Sequence, residues 1–572
     1  MDIRFMEVKA TEAERAALDP VVEAPSTSPR LVVGGRATRS RRHLLLPALW
    51  ALQTGVGWVS RGGLDEICRR LEIPPAEAYA VASFYDLISL EERPERTVRI
   101  CDDVVCRMTG VEDRLTDLAA RLGPEGEAWE RSSCLGRCDR RSAAFVQEVG
   151  SVGRSVAPFD PAWLDRPPEP TPVVAAGPLT ERIGHVDPTD LDAYRAAGGY
   201  RALRAAVAMG PEAVIREVKD SGLVGRGGAA FPTGVKWEAV AASPRRPHYL
   251  ICNADESEPG TFKDRVLIEG DPYALVEAMT IAGYATGCER GYIYVRGEYP
   301  EALAALGHAV DTCRRRGLLG DDVMGAGFAF DIEIRRGAGA YICGEETALI
   351  ASIEGHRGEP RAKPPFPTTH GLFGKPTVVN NVETLMNVLR IVDEGGVSYA
   401  EHGGGRSRGT KLFAVSGAVT EPGVVEVPFG ATVGDVISAA GGPSEPLAAV
   451  LVGGAAGSFV GPDDLDVPLT FEGMASVGGA LGSGAVVAVG RSSDVEDLVR
   501  RIARFFREES CGRCVPCREG TRRQEEALAA GRFDLLDDLA AVMGDASICG
   551  LGQTASSAIR SGIALGLLGG GS

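Results

Sequence analysis

Eight of the thirteen cysteines fall into two quartets whose spacing points to iron–sulfur chemistry. Ser510-Cys511-Gly-Arg-Cys514-Val-Pro-Cys517 sets three thiols at two-residue intervals, and Cys549 follows in Ser547-Ile-Cys-Gly. Cys-x2-Cys-x2-Cys with one distant partner is the spacing of a [4Fe-4S] cluster: three thiolates from one tight turn face one cube, and a later loop closes it. Cys101-x4-Cys106 and Cys134-x3-Cys138 form the second quartet, with a less diagnostic spacing. Zinc is the competing reading for both, because paired Cys-x2-Cys-like spacings also bind it. Two thiolate quartets in one chain suggest electron transfer. Cys68, Cys252, Cys288, Cys313 and Cys343 are scattered and read as packing residues.

A second kind of site must load the electrons. Its strongest signal is Gly225-Arg226-Gly227-Gly228-Ala-Ala230-Phe231-Pro-Thr-Gly234, followed by Val-Lys236-Trp237. Such a loop lets backbone N–H groups approach an anion closely. It is neither GxGxxG nor a Walker loop, and taken alone it reads as a generic turn. Three further clusters add weight: Cys252-Asn253-Ala-Asp255-Glu256-Ser-Glu258; Tyr341-Ile-Cys343-Gly344-Glu345-Glu346; and Lys363-Pro-Pro-Phe366 with Asn380-Asn381-Val-Glu383. Acid–amide clusters beside glycines suit the polar edge of a flavin and the hydroxyls of a ribose. Phe231 and Phe366 suit stacking on a nicotinamide or adenine. Each cluster by itself also reads as a capped turn. Cys252 and Cys343 lie inside these motifs, which puts their thiols near the same site.

These residues need elements to position them, and 572 residues allow two to four domains. The expected fold class is multidomain α/β and α+β. Residues 1–40 read as a loose tail. Residues 41–95 read as helices, with Leu45, Leu49, Leu52 and then Leu64, Ile67, Cys68, Leu71 at helical spacing. Residues 96–150 read as a small α/β unit: a strand at Thr97–Ile100, a helix near Arg114–Leu122 and a strand near Ala143–Gln147. Residues 151–185 hold a Pro-rich stiff linker. Residues 186–400 form a glycine-rich α/β block, 411–490 a β-grasp-like domain, and 491–572 a helical domain with the last quartet. Trp50 and Trp58 read as core.

Composition limits the function. A formal net charge of −17 argues against general nucleic-acid or acidic-membrane binding. No run approaches the length of a transmembrane helix. Free thiols in a large chain point to the cytoplasm. Ser40-Arg41-Arg42 before the apolar Leu44–Trp50 resembles a twin-arginine export signal, but it starts forty residues in and lacks a clear cleavage site. An amphipathic helix with a basic start is the preferred reading.

Taken together, residues from about 186 to 565 resemble the flavoprotein subunit of respiratory complex I and its relatives in NAD-linked hydrogenases and formate dehydrogenases. Residues 44–150 resemble the partner subunit, a thioredoxin-like [2Fe-2S] protein, here fused in front. The resemblance implies an FMN and NAD(H) site. Gly225, Arg226, Gly227, Gly228 and Lys236 match the FMN-binding segment, and Asn253, Asp255 and Glu256 match flavin contacts. Tyr341, Gly344, Glu345 and Glu346 match the segment that flanks flavin and nicotinamide in that family. Asn380 and Asn381 match the pair near the FMN phosphate, and Phe231, Glu258, Lys363 and Phe366 match positions that hold NADH. Cys101, Cys106, Cys134 and Cys138 match the [2Fe-2S] ligands; Cys511, Cys514, Cys517 and Cys549 match those of [4Fe-4S]. The 411–490 segment corresponds to the family's β-grasp (SLBB) domain. Two departures stand out: Glu238-Ala239-Val240 lacks an aromatic usual after the Lys-Trp pair, and Ala230 replaces a common glycine.

The implied activity is that of a diaphorase subunit, exchanging hydride between NAD(H) and FMN and single electrons with the clusters. Glu346 is the residue expected to shape the hydride contact; a structural capping carboxylate is its alternative. No molybdopterin or nickel–iron site is visible, so a substrate-oxidising partner and a hetero-oligomer are expected. The partner of first choice is a molybdenum- or tungsten-containing formate dehydrogenase subunit; a nickel–iron hydrogenase and a complex I flavoprotein role are alternatives. From another class, a non-catalytic iron–sulfur relay with a degenerate flavin site is the runner-up.

Overall fold

The computed structural model describes residues 8–23 and 41–568. Within the expected tail, Glu12–Leu18 is a helix opened by a capping box of Thr11 and Glu14, and Leu18 and Val22 are fully buried. The loose-tail reading is therefore corrected for residues 8–23; the rest of 1–40 lies outside the described residues. Helices Leu45–Val56, Arg61–Leu71 and Pro75–Ala82 bury every leucine that the helical spacing singled out. The apolar stretch after the arginine pair is thus core helix. Arg42 donates to the carbonyl of Gly355 at 3.1 Å and pairs with Glu77. Trp50 is buried and donates to the carbonyl of Gly337, whereas Trp58 is only half-buried, not core as expected.

The second unit is a four-stranded sheet in the order β2-β1-β3-β4: Trp129–Ser132, Arg96–Cys101, Ala144–Glu148 and Arg154–Val156. β2 escaped the sequence reading, and β4 lies beyond the expected limit at residue 150. The Pro-rich segment after it is not merely a linker. It delivers β5 (Val173–Ala175) to the edge of a distant sheet, parallel to Gly423–Pro428.

The glycine-rich block carries an all-parallel sheet in the order β8-β7-β6-β9: Asp331–Arg336, Cys288–Val295, His248–Ala254 and Thr377–Asn381. The chain winds outward from β6 to β8, then returns to the other side of β6 to lay down β9. The strand order reverses between β6 and β9, and in open parallel sheets the crevice beyond the carboxyl ends at such a point is where ligands bind. Those ends carry Asn253 and Asn381, partners in register.

A short hairpin (β10, Gly403–Gly404; β11, Ser407–Arg408) leads into a mixed six-stranded sheet, β15-β14-β16-β12-β13-β5. Its strands are β12 (Thr410–Gly417), β13 (Gly423–Pro428), β14 (Leu447–Val452), β15 (Ser458–Val460) and β16 (Ala485–Gly490), with β5 at the edge. Helix Val433–Ala439 buries Val433, Val436 and Ile437 against it. The C-terminal part is helical, from Val495–Glu508 through Val515–Ala529, Leu536–Ala546, Gly550–Thr554 and Ser557–Ala564. Its first helix lies against the second unit, where Arg107 forks onto Asp497 at 2.7 and 3.2 Å. Among the described residues no helix is long and apolar enough to cross a membrane.

Candidate functional site

The four motif segments converge on the β6–β9 crevice. Gly227 and Gly228 are exposed in the loop before helix Thr233–Ala241, and a Cβ on Gly227 would stand 3.2 Å from Cβ of Asn381. The indole N–H of Trp237 donates to Asn380 Oδ1 at 2.9 Å, and Lys236 Nζ donates to the carbonyl of Val379 at 2.9 Å. Asn253 Nδ2 donates to the carbonyl of Gly344 at 2.7 Å, tying the end of β6 to the Glu345–Glu346 turn. Asn381 caps helix Val382–Glu394 through its Oδ1 and donates to Asp264 at 2.6 Å. Asp255 Oδ2 is buried with no hydrogen-bond partner, and burial pushes this carboxyl well above the usual carboxylate range. An orphaned polar atom beside exposed glycines fits the polar edge of a flavin.

Two expected cofactor contacts are corrected. The Arg226 side chain points inward, 1% exposed, donating to the carbonyls of Val224 and Arg408 and to the Tyr399 hydroxyl, over the Phe429 ring. It anchors the loop rather than facing the crevice. Glu256 accepts the backbone N–H groups of Asp264 and Arg265 at 2.8 and 3.0 Å, satisfying the start of helix Lys263–Gly270. The thiols of Cys252 and Cys343 are both buried, and Cys343 sits among Asp255, Tyr85, Tyr294 and Ser352.

At the mouth of the crevice, Phe231 and Phe366 are 51% and 55% exposed, as stacking surfaces would be. Lys236 Nζ stands 5.8 Å above the Phe231 ring and 3.5 Å from Glu346. Lys363 Nζ is 2.8 Å from both Glu345 and Glu346. Glu345 also accepts the N–H groups of Thr347 and Ala348, so of the pair it is Glu345 that caps helix Glu346–Ile353. Deeper in, Glu258 accepts the Tyr341 hydroxyl and the Ala456 N–H, and burial raises its carboxyl to about 7.

The upstream quartet is fully buried: Cys101 ends β1, Cys106 lies in the short helix Val104–Arg107, and Cys134 and Cys138 lie between β2 and β3. Cys134 and Cys138 sulfurs are 3.4 Å apart, and the Cys101 thiol contacts those of Cys106 and Cys134. In the second quartet, Cys511, Cys514, Cys517 and Cys549 line one small apolar hollow with Ile342, Pro360 and Leu551. Cys514 and Cys549 each precede the first residue of a helix, so two helix N-termini face it, an arrangement that suits an anionic cluster. Among the described residues no group of three or more His, Cys, Asp or Glu is arranged to hold a single metal ion. One cleft reaches both quartets, lined by Cys134 and Cys511 with Tyr341 and Glu509 between. Sequence reasoning missed Arg296, Arg501 and Tyr299, which reach the cluster loops from other domains and carry no motif signal.

Fold and site together define a flavin- and iron–sulfur-dependent NADH oxidoreductase. Family models match the Nuo51 FMN-binding domain at residues 218–390, a thioredoxin-like [2Fe-2S] ferredoxin at 35–152, the NADH-ubiquinone oxidoreductase-F iron–sulfur binding region at 497–565 and an SLBB domain at 412–457. The chain is 43% identical over 397 residues to the NADP-reducing hydrogenase subunit HndC of Solidesulfovibrio fructosivorans, covering 67% of this chain and 80% of that one. It is 46% identical over 349 residues to the F subunit of the NADH-quinone oxidoreductase of Escherichia coli strain K12, covering 60% and 78%. A crystal structure of NAD+-reducing [NiFe]-hydrogenase in the air-oxidized state superposes with a TM-score of 0.78 at 34% identity, over 92% of this chain and 93% of the other. The chain belongs to the family of FMN- and [4Fe-4S]-binding flavoprotein subunits of complex I and NAD-linked hydrogenases, with a thioredoxin-like [2Fe-2S] ferredoxin fused in front. It is an NADH-dehydrogenase-type enzyme subunit whose cofactors are FMN, [2Fe-2S] and [4Fe-4S].

Proposed function

We propose that this chain is the diaphorase subunit of a hetero-oligomeric, cytoplasmic NAD-linked hydrogenase. One observation carries the choice of partner: a chain of the NAD+-reducing [NiFe]-hydrogenase superposes over 92% of this one, the fused ferredoxin included, and a hydrogenase subunit is also among its sequence relatives. That favours hydrogenase over the formate dehydrogenase expected first. The cytoplasmic placement rests on thirteen unpaired cysteines.

Bound FMN would supply both two-electron hydride chemistry toward NADH and one-electron chemistry toward the clusters. The protein's own groups position and shield. Asn253, Asp255, Gly227 and Gly344 would shape the flavin pocket at the β6–β9 reversal. Phe231 and Phe366 would sandwich the dinucleotide, and Lys236 and Lys363 orient Glu346 toward it. Hydride transfer needs no general base, only reacting atoms held at about 3–3.5 Å.

Purification with its companions tests this. Yellow, fluorescent FMN released on denaturation and a nickel-containing companion are expected. A molybdenum or tungsten companion would return the assignment to formate dehydrogenase, and absence of flavin would leave only an iron–sulfur relay. Cys514→Ser should lose the [4Fe-4S] resonance yet keep NADH oxidation with a flavin-level acceptor.

A further inference from the structure

We infer that Arg296 and Arg501 set the reduction potential of the [2Fe-2S] cluster from outside its own domain, as positioning residues that grip the Cys134 segment from two sides. Arg296 follows β7 of the flavin-binding sheet and is 3% exposed. Its Nη2 donates to the carbonyl of Cys134 at 2.6 Å and its Nη1 to the carbonyl of Glu256 at 2.7 Å. Arg501 belongs to helix Val495–Glu508 of the [4Fe-4S] domain and is 5% exposed. Its Nε donates to the carbonyl of Asp102 at 2.6 Å, and its Nη2 reaches Asp103 Oδ2 at 3.3 Å. That same Asp103 oxygen accepts the backbone N–H of Cys134 at 3.1 Å. Two buried cations, one from each of the other cofactor domains, therefore meet at a single ligand cysteine.

The physical consequence is a potential. A four-thiolate [2Fe-2S] centre that takes one electron, supplied by NADH through the flavin, gains one negative charge. Fixed positive charge in a low-dielectric surround favours the reduced form and raises the potential. Arginine suits this task, since it stays charged and its planar fork spends its donors on backbone carbonyls. Each cation is balanced by carboxylates: Glu298 lies 2.8 Å from Arg296 Nη2, while Asp103 and Glu508 lie 3.3 and 3.5 Å from Arg501. Glu298 Oε1 accepts from Arg296 Nη2 at that 2.8 Å, so its carboxylate opposes the Arg296 charge directly. The cluster's potential thus registers whether all three cofactor domains are docked.

A redox titration of the full chain, followed by electron paramagnetic resonance, tests the assignment. Arg296→Gln is expected to lower the [2Fe-2S] midpoint by a tenfold change in the reduced-to-oxidised ratio at fixed potential, about 59 mV for one electron. The [4Fe-4S] midpoint should stay in place. Arg296→Lys should stay near the parent, and Arg501→Gln should shift downward like Arg296→Gln. Glu298→Gln should move the midpoint upward. An unmoved midpoint in Arg296→Gln would overturn the proposal, as would an equal fall in Arg296→Lys, which would make the effect one of hydrogen bonding rather than charge. If Arg296→Gln does not assemble, Glu298→Gln decides: a downward or absent shift rejects the assignment.

Discussion

Lys363 Nζ lies 2.8 Å from Oε1 of Glu346, and Lys236 approaches the same carboxylate from the other side at 3.5 Å. Burial pulls the Glu346 carboxyl up, but the two ammonium groups outweigh it and hold it below its ordinary 4.5. It therefore stays ionised at neutral pH. A depressed carboxyl stabilises the fold at pH values above 4.5, and that contribution is lost as pH falls through the lower native value. Glu346→Gln removes hydrogen bonds made to charge, worth about 1.5–3 kcal/mol. NADH oxidation with an artificial acceptor should fall roughly 10- to 100-fold in kcat/KM, with cluster content normal. Unchanged turnover would strike Glu346 from the site.

Glu258 behaves in the opposite sense. Burial lifts it from 4.5 to about 7, and the hydrogen bonds from Tyr341 and Ala456 only partly offset this. The native chain keeps a proton there that the unfolded chain releases. Its contribution to stability declines as pH rises from 4.5 to about 7 and is level beyond. Thermal melting across that window should show a slope in the parent that Glu258→Gln reduces by one proton, about 1.4 kcal/mol per pH unit. Identical slopes in the two proteins would refute the assignment.

Gly136 sits in the loop between Cys134 and Cys138 at φ +66°, and a Cβ there would run into the hydroxyl of Tyr299. Tyr299 is fully buried, stacked with Arg296 at 5.0 Å, and cannot give way. Gly136→Ala should cost about 3 kcal/mol or more at this contact and abolish the [2Fe-2S] resonance while FMN and [4Fe-4S] persist. Retention of a normal [2Fe-2S] spectrum would show that the loop does not dock as described.

Ala230 adopts φ +51° in the flavin loop, a left-handed conformation that strains any residue with a Cβ. Ala230→Gly should therefore raise stability by up to about 1 kcal/mol, less what the freer unfolded chain takes back. Denaturant midpoints measure it; a clear drop would mean the side-chain packing of Ala230, which is buried, outweighs the strain.

Much of the chemistry was legible because it is local. Three thiols at two-residue intervals must share a turn, and leucines at helical spacing must share a face. The family's motifs likewise carry their order and spacing in the chain. Local pattern cannot say which way a side chain turns. Arg226 lies among glycines that face the crevice, yet its guanidinium is spent on the carbonyl of Arg408, 182 residues on. Glu256 and Glu258 are two residues apart, but one caps a helix and the other meets Tyr341.

The sequence alone thus determined which groups could hold clusters and a flavin. Tertiary structure decided what surrounds them. The reversal between β6 and β9 that opens the crevice, the strand β5 drawn from a supposed linker, and the arginines brought to Cys134 from 162 and 367 residues away depend on contacts between separate domains. Such contacts follow from buried area and complementary charge across surfaces, which leave no periodic trace along the chain.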